Sequence, residues 1–289
     1  MESIESVEIC ASVISASQKH DIETAKKLAT LCLSTQRASN YDDWKDDKLF
    51  LKDVAEMLDN VLQYFIDNAP DTISRAIYSA SMERSIGIGA LGWHALLQRK
   101  NIPWESAMAT GLNKEIFQTV RRRLDTANKK LGEERGPAPD AVDAGLRFSH
   151  LMAIAPNASS SIIMGNTSPS IEPFRANAYR QDTLSGSFLN KNKYLDGIIK
   201  FESVNQKDGW YDEVWSSIIA NDGSVQHLSW MDENTKEIYK TSMEIDQRWV
   251  IEHAADRQKF IDQAQSLNIF FRPDCNIKYL HAVHYLAWK

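Results

Sequence analysis

The sequence predicts an α/β fold, and three observations carry that prediction. Apolar residues recur at helical spacing in several long stretches, short β-prone apolar runs stand between those stretches, and glycines gather inside one such run, Ser85–Gly92. Helices alternating with short buried strands are the pattern of a sheet covered by helices.

In chain order, Val7–Ile14 is short and β-prone and places Cys10 in a strand. Asp21 caps a helix in which Ile22, Ala25, Leu28, Ala29, Cys32 and Leu33 share a face, so Cys32 reads as a small core residue. A second helix runs from about Asp47 to Asp67 with a stripe of Leu51, Val54, Leu58, Val61, Leu62 and Phe65, and a third, Asp71–Met82, leads to Arg84. Ser85–Gly92 (SIGIGALG) precedes a helix over Trp93–Lys100. Its G-x-G is weak as a dinucleotide fingerprint, which needs a further glycine and a later acidic residue. Gly87 and Gly89 read instead as points of close backbone approach in a crowded strand.

Asn113–Leu131 is a long amphipathic helix ended by Gly132, and Phe148–Ala155 is a strand. Phe188–Phe201 (FLNKNKYLDGIIKF) shows helical spacing, whereas Asn205–Glu237, rich in Asp, Asn, Gly and Trp, is the least regular part and is expected to form a surface excursion. Asp246–Leu267 is helical with a break and leads into a short buried strand, Asn268–Phe271, before a last helix over Asn276–Lys289.

The chain of 289 residues is 43% hydrophobic and 25% charged, enough for one large domain or two modest ones. Its net charge of -6 argues against a nucleic-acid surface, and Arg121–Arg123 reads as a solvated helix face. No apolar run approaches the roughly 18 residues of a membrane span, and the acidic start MESIESVEIC is unlike a signal peptide, so a cytoplasmic protein is expected. Cys10, Cys32 and Cys275 are odd in number and widely spaced, which fits neither a disulfide scaffold nor a zinc module. His281 and His284 stand one helical turn apart, but with no third ligand nearby they read as ordinary surface or core histidines.

The most informative stretch follows Ala155. Pro156 and Asn157 precede Ser159, Ser160 and Ser161, then Ile162, Ile163 and Met164, then Gly165 and Asn166. Asn157 suits an N-cap and Gly165 a helix stop. A helix start presents free N–H groups and the positive end of the macrodipole, to which serine hydroxyls add donors. From these residues alone two readings stand, simple capping and phosphate binding.

Pro156 to Ser160, Gly165 with Asn166, and Ser170 to Pro173 together resemble the catalytic barrel of class I ribonucleotide reductase large (alpha) subunits, where a Pro-x-Ala-Ser-Ser/Thr turn precedes a Gly-Asn and a Ser-Ile-Glu-Pro. Ala254–Phe271 and the Arg84–Gly89 strand carry further resemblance. It is close over Met82–Ala95, Leu151–Lys193 and Trp249–Lys289, and loose elsewhere. The implied fold is an α/β barrel of ten strands in two parallel halves, of which residues 1–289 form a helix-rich part, roughly the second half.

The resemblance implies that Pro156, Asn157, Ala158, Ser159 and Ser160 hold the diphosphate of a nucleoside diphosphate substrate, with Ser161 behind them. It also implies that Cys10 is one redox thiol, the alternative being a buried strand residue; Ser15–His20 departs from the family's usual asparagine, leucine and glycine. The family's Asn-x-Cys-x-Glu and Tyr-Tyr motifs do not occur in these residues. The expectation is therefore a portion of ribonucleoside-diphosphate reductase that binds no cofactor itself and is inactive without complementary segments. Those are an N-terminal large-subunit fragment, a radical-bearing small subunit with its radical-generating metal, and a thioredoxin- or glutaredoxin-type reductant. The alternatives are a non-catalytic nucleotide-binding or subunit-interaction remnant of such an enzyme, and a helical interaction protein.

Overall fold

The computed structural model describes residues 41–157, 160–161, 164–183 and 186–289, with the backbone alone at 181–183. The expected strand over Val7–Ile14 and the helix begun by Asp21, with Cys10 and Cys32, lie outside the described residues.

At the centre, three extended segments lie side by side and parallel. Ile88 pairs with Met152, and Ile154 with Gln265. The Ile86 and Ile88 N–H groups donate to the His150 and Leu151 carbonyls, and Ala153 N donates to Ile88 O. On the other side Gln263 N donates to Met152 O, Ile154 N to Ala264 O and Ser266 N to Ile154 O. Asp262 secures the entry to this ladder by accepting from Leu151 N and Met152 N, and Arg121 donates to the same carboxylate at 2.9 Å. Arg121 is thus engaged in the structure rather than merely solvated.

The glycines expected at a crowded strand are found there: a Cβ at Gly89 would stand 2.6 Å from the Ala153 carbonyl oxygen, whereas one at Gly111, inside a helix, would meet nothing within 4 Å. Gly89→Ala is expected to cost about 1–3 kcal/mol through overpacking, and Gly111→Ala to gain about 0.5–1 kcal/mol. Chemical denaturation of both variants checks this; equal stabilities would remove close approach as the reason for Gly89.

Helices cover the ladder. They are α1 (Tyr41–Trp44), α2 (Phe50–Asn68), α3 (Ser74–Glu83), α4 (Trp93–Arg99) and α5 (Ala107–Arg135). α2 buries Phe50, Leu51, Val54, Ala55 and Met57, and it ends where Pro70 forces Ala69 into extended backbone. α5 begins well before the expected Asn113 because the Ser106 hydroxyl accepts from Ala109 N, and it runs on to Gly136 at φ 83°. Its Asn128 amide pairs with the Phe148 backbone in both directions, as a neighbouring strand would.

A second apolar cluster is built beside the first. β1 (Ala178–Thr183) and β2 (Gly186–Lys191) pair as antiparallel strands, so Phe188–Lys191 is strand, not helix. Asn192 then caps α6 (Lys193–Ser203) by accepting from Tyr194 N. α7 (Trp210–Ala220) and α8 (Glu233–Ile238) lie in the stretch read as irregular, and this segment buries Trp215, Ile218, Val225, Leu228 and Met231. An aromatic side chain like Trp215 removes roughly 150–250 Å² from water, about 4–6 kcal/mol of transfer free energy. α9 (Gln247–Gln258) and α10 (Ile277–Trp288) complete the chain; Asn268–Phe271 forms no regular strand.

α4, buried along most of its length, joins the two clusters. His94 Nδ1 accepts from Phe174 N at 3.0 Å, which leaves Nε2 to donate to Ile238 O at 3.3 Å. Burial pushes the His94 imidazole down to about 3, so it is neutral in the folded chain. Gln98 accepts from Asn192, whose amide also donates to Asn177, and Asn177 in turn donates to the Gly223 and Tyr239 carbonyls.

Asp59, 1% exposed on α2, receives three guanidinium groups: Arg84 at 2.6 Å, Arg135 at 2.9 Å and Arg147 at 3.0 Å. This cluster ties α2, the end of α3, the end of α5 and the approach to the central segment into one unit.

Candidate phosphate-binding turn

The turn read from the sequence lies directly beyond the carboxyl end of the central parallel segment. Ile154 makes the last ladder bonds; Ala155 and Pro156 are exposed, and Asn157 is half-buried. Ligands of open α/β sheets occupy this end of parallel strands because the loops there leave the ladder with free backbone groups. The Asn157 carbonyl accepts from Ser161 N at 3.0 Å and the Ser160 carbonyl from Met164 N at 2.9 Å, which is the expected helical winding. Gly165 at φ 82° and Asn166 at φ 53° then stop it. Ser160 is half-buried and Ser161 buried; Ala158 and Ser159 lie outside the described residues, as does Cys10.

The returning loop is fastened to the turn. Ser170, at φ 46°, donates its hydroxyl to Ala155 O at 2.8 Å, and Thr167 N donates to Ser161 O at 3.0 Å. Ser168 Oγ accepts from Ala95 N, which anchors the loop on α4. Tyr179 on β1 donates to Asn166 Oδ1 at 2.7 Å, and burial pushes its phenol up against the opposing hydrogen bonds. The buried Glu172 accepts from both the backbone and the side-chain amide of Asn268, at 3.1 and 2.7 Å. The two most motif-rich stretches, one around Pro156–Pro173 and one ending at Phe271, therefore meet at a carboxylate.

The electrostatics are unusual for an anion site. Residues 151–174 contain no lysine or arginine, and the first cation after them, Arg175, lies over the Phe270 ring at 5.5 Å. Within residues 151–174 the donors available to an anion are N–H groups, hydroxyls and the end of a helix dipole.

Thr167, Tyr179, Glu172 and Asn268 were not singled out by sequence reasoning. The Glu172 and Asn268 positions fall within the motifs, but their pairing joins residues far apart in the chain, and no local pattern announces it. The hairpin had a local signal in the turn-prone Leu184-Ser185-Gly186, which the helical spacing after Phe188 obscured.

Elsewhere, His284 Nδ1 is bonded to Leu280 O and its ring stacks on Phe271, while His281 stacks on Tyr285. Among the described residues no group of three or more His, Cys, Asp or Glu could hold a metal ion. Cys275 is a half-buried free thiol. No helix among the described residues is long and apolar enough to cross a membrane.

Comparison with known proteins bears on the family and the fold. A family model described as the ribonucleotide reductase barrel domain matches residues 1–143 and 140–289. The ribonucleoside-diphosphate reductase large subunit of Invertebrate iridescent virus 6 is 57% identical over 265 residues, which cover 91% of this chain and 27% of that protein. That of Invertebrate iridescent virus 3 is 52% identical over 262 residues, 91% of this chain and 41% of that protein. Among solved structures, a class Id ribonucleotide reductase alpha subunit from Actinobacillus ureae superposes with a TM-score of 0.78 at 35% identity, covering 87% of this chain and 46% of that one. The chain thus spans less than half the length of each of these relatives, and its fold is that of part of their barrel. By sequence and by fold, it belongs to the ribonucleotide reductase barrel-domain family.

Proposed function

We propose that this chain is the portion of a ribonucleoside-diphosphate reductase large subunit that holds the substrate's diphosphate at Pro156, Asn157, Ala158, Ser159 and Ser160, and that supplies Cys10 as one of two electron-donating thiols. The position of the turn supports this: the chain leaves a parallel ladder at its carboxyl end and winds at once into a hydroxyl-rich helical turn. Reduction of a ribose 2′-hydroxyl needs a thiyl radical to lift a hydrogen from the sugar and a carboxylate to assist as base. It also needs two thiols that become a disulfide as the hydroxyl leaves as water. In this reading Cys10 is one of those two thiols, and its partner, the radical cysteine and the base come from a complementary large-subunit segment. A radical-bearing small subunit and a thioredoxin- or glutaredoxin-type reductant complete the system, which works in the cytoplasm.

Loss of a hydrogen bond to a charged group costs about 1.5–3 kcal/mol, or roughly tenfold or more in affinity. Ser159→Ala combined with Ser160→Ala is therefore expected to raise KM for the nucleoside diphosphate at least about tenfold in a complemented enzyme. Steady-state kinetics checks this, and an unchanged KM removes the turn from the substrate site.

A second reading, nucleotide binding without turnover, is favoured by one observation: none of the three cysteines stands in an Asn-x-Cys-x-Glu context. Nucleoside diphosphate binding that is never accompanied by turnover, whatever fragments are added, would select it.

A further inference from the structure

We propose that the buried side chains of Trp93, Trp104, His253 and Arg257 form a site for a small inorganic anion of the halide class, which balances the Arg257 charge. The site is built on α4, α9 and the segment between α4 and α5.

Arg257, on α9, is 0% exposed. Its Nε donates to Gln265 Oε1 at 2.7 Å and its Nη1 to Asn113 Oδ1 at 3.2 Å, both neutral amide oxygens, and the guanidinium lies 5.7 Å from the centre of the Phe117 ring. No carboxylate pairs with it among the described residues, and the adjacent Asp256 is bonded to Lys114 at 3.0 Å. A charge taken out of water without an opposite charge is very costly to a fold. Burial accordingly pushes the guanidinium down to about 9. Its Nη2 has no hydrogen-bond partner.

His253, one helical turn earlier on α9, is also 0% exposed, and neither of its ring nitrogens has a partner. Its ring centre lies 5.5 Å from that of Trp104 and 6.0 Å from that of Trp93, and the two indoles are 6.4 Å apart. Each tryptophan is 1% exposed, and both indole N–H groups are without a partner. Folded proteins leave few buried polar atoms unpaired, yet here five belong to four neighbouring side chains. Such a concentration marks a place that a polar occupant fills.

The chemistry of the five atoms selects the sign of that occupant. Indole and guanidinium nitrogens only donate, and a neutral imidazole donates from one nitrogen and accepts at the other, which makes four donors to one acceptor. A water molecule accepts about two of those bonds and brings no charge. A halide accepts from all four donors and supplies the negative charge that Arg257 lacks.

The experiment is thermal unfolding of the full 289-residue chain and its Trp104→Phe and Trp93→Phe variants in bromide, chloride or gluconate at one ionic strength, so that screening is constant. Anomalous scattering from crystals of the unsubstituted chain grown in bromide accompanies it. Tm is expected to rise saturably with bromide and chloride but not with gluconate, because a ligand held by the folded state alone stabilises it. Trp104→Phe keeps a ring and loses the N–H, so half of the rise is expected to need about tenfold more bromide. If that variant fails to fold, Trp93→Phe carries the same comparison. Bromide is expected as an anomalous peak within hydrogen-bond reach of Arg257 Nη2. A Tm that is the same in all three anions overturns the proposal, and so does a bromide response as strong in the variants as in the parent. Ordinary density without an anomalous signal at that place means an internal water only and overturns it as well.

Discussion

Asp59→Ala is expected to lower the unfolding free energy by about 3–5 kcal/mol, the usual result of removing one partner from a buried ionic cluster. Asp59 is 1% exposed and accepts from Arg84, Arg135 and Arg147, so its loss leaves three guanidinium groups facing one another, with Glu56, on Arg135, as the remaining acidic partner among the described residues. Arg84 is itself buried and sits at φ 46°, so it has little freedom to turn toward water. Urea denaturation followed by tryptophan fluorescence reads this directly. A loss below about 1 kcal/mol would class the cluster with ordinary surface ion pairs.

The same carboxylate sets an acid limit. Burial by itself pushes Asp59 up, but the hydrogen bonds from Arg84, Arg147 and Arg135 outweigh it and hold the group below its usual value in the folded chain. A depressed folded value means that the stabilisation is fully present above the unfolded value of about 3.9 and is lost as pH falls through the lower, folded one. The Asp59 contribution is therefore constant near neutrality and vanishes only in strong acid. His94 and His253 add to acid sensitivity with the same sign. Burial pushes each down to about 3, and Arg257 also acts on His253, so the unfolded chain takes up their protons first as pH drops below about 6.5.

How much of this was legible depended on how local the determinant was. The helices over Asp47–Asp67, Asp71–Met82 and Trp93–Lys100 show their stripes and stops within one segment, and the structure places helices there with small shifts at the ends. The helical turn after Asn157 was equally local, because Asn157, Ser160, Ser161 and Gly165, which start and stop it, lie in one short stretch. Asn205–Glu237 was misread as irregular because its apolar residues, among them Trp215, Leu228 and Met231, converge from a helix and from loops and share no single period. The Asp59 cluster was invisible for another reason: Arg84, Arg135 and Arg147 come from three separate parts of the chain, and only the fold brings them to one carboxylate. Glu172 with Asn268 is the same case within the site.

The largest functional effect expected is the difference between this chain alone and the same chain complemented. By itself the 289-residue chain is expected to give no deoxynucleotide, because no Asn-x-Cys-x-Glu supplies the radical thiol and the base, and catalysis depends on holding all these groups in one site. Its surface is suited to being covered: α10 leaves Ile277 77% and Trp288 81% exposed, and the extended segments at 86–89 and 263–266 each have one neighbour among the described residues. Turnover should appear when an N-terminal large-subunit fragment, a source of the Tyr-Tyr strand, the radical-bearing small subunit and a dithiol reductant are added together. In that mixture Cys10→Ser should abolish multiple turnovers, whereas Cys32→Ser and Cys275→Ser should change stability more than rate. A deoxynucleotide assay with sedimentation on the same samples decides the matter. Full activity in Cys10→Ser would remove that thiol from the chemistry, and a monomer that ignores every added fragment would leave nucleotide binding as the function of the chain.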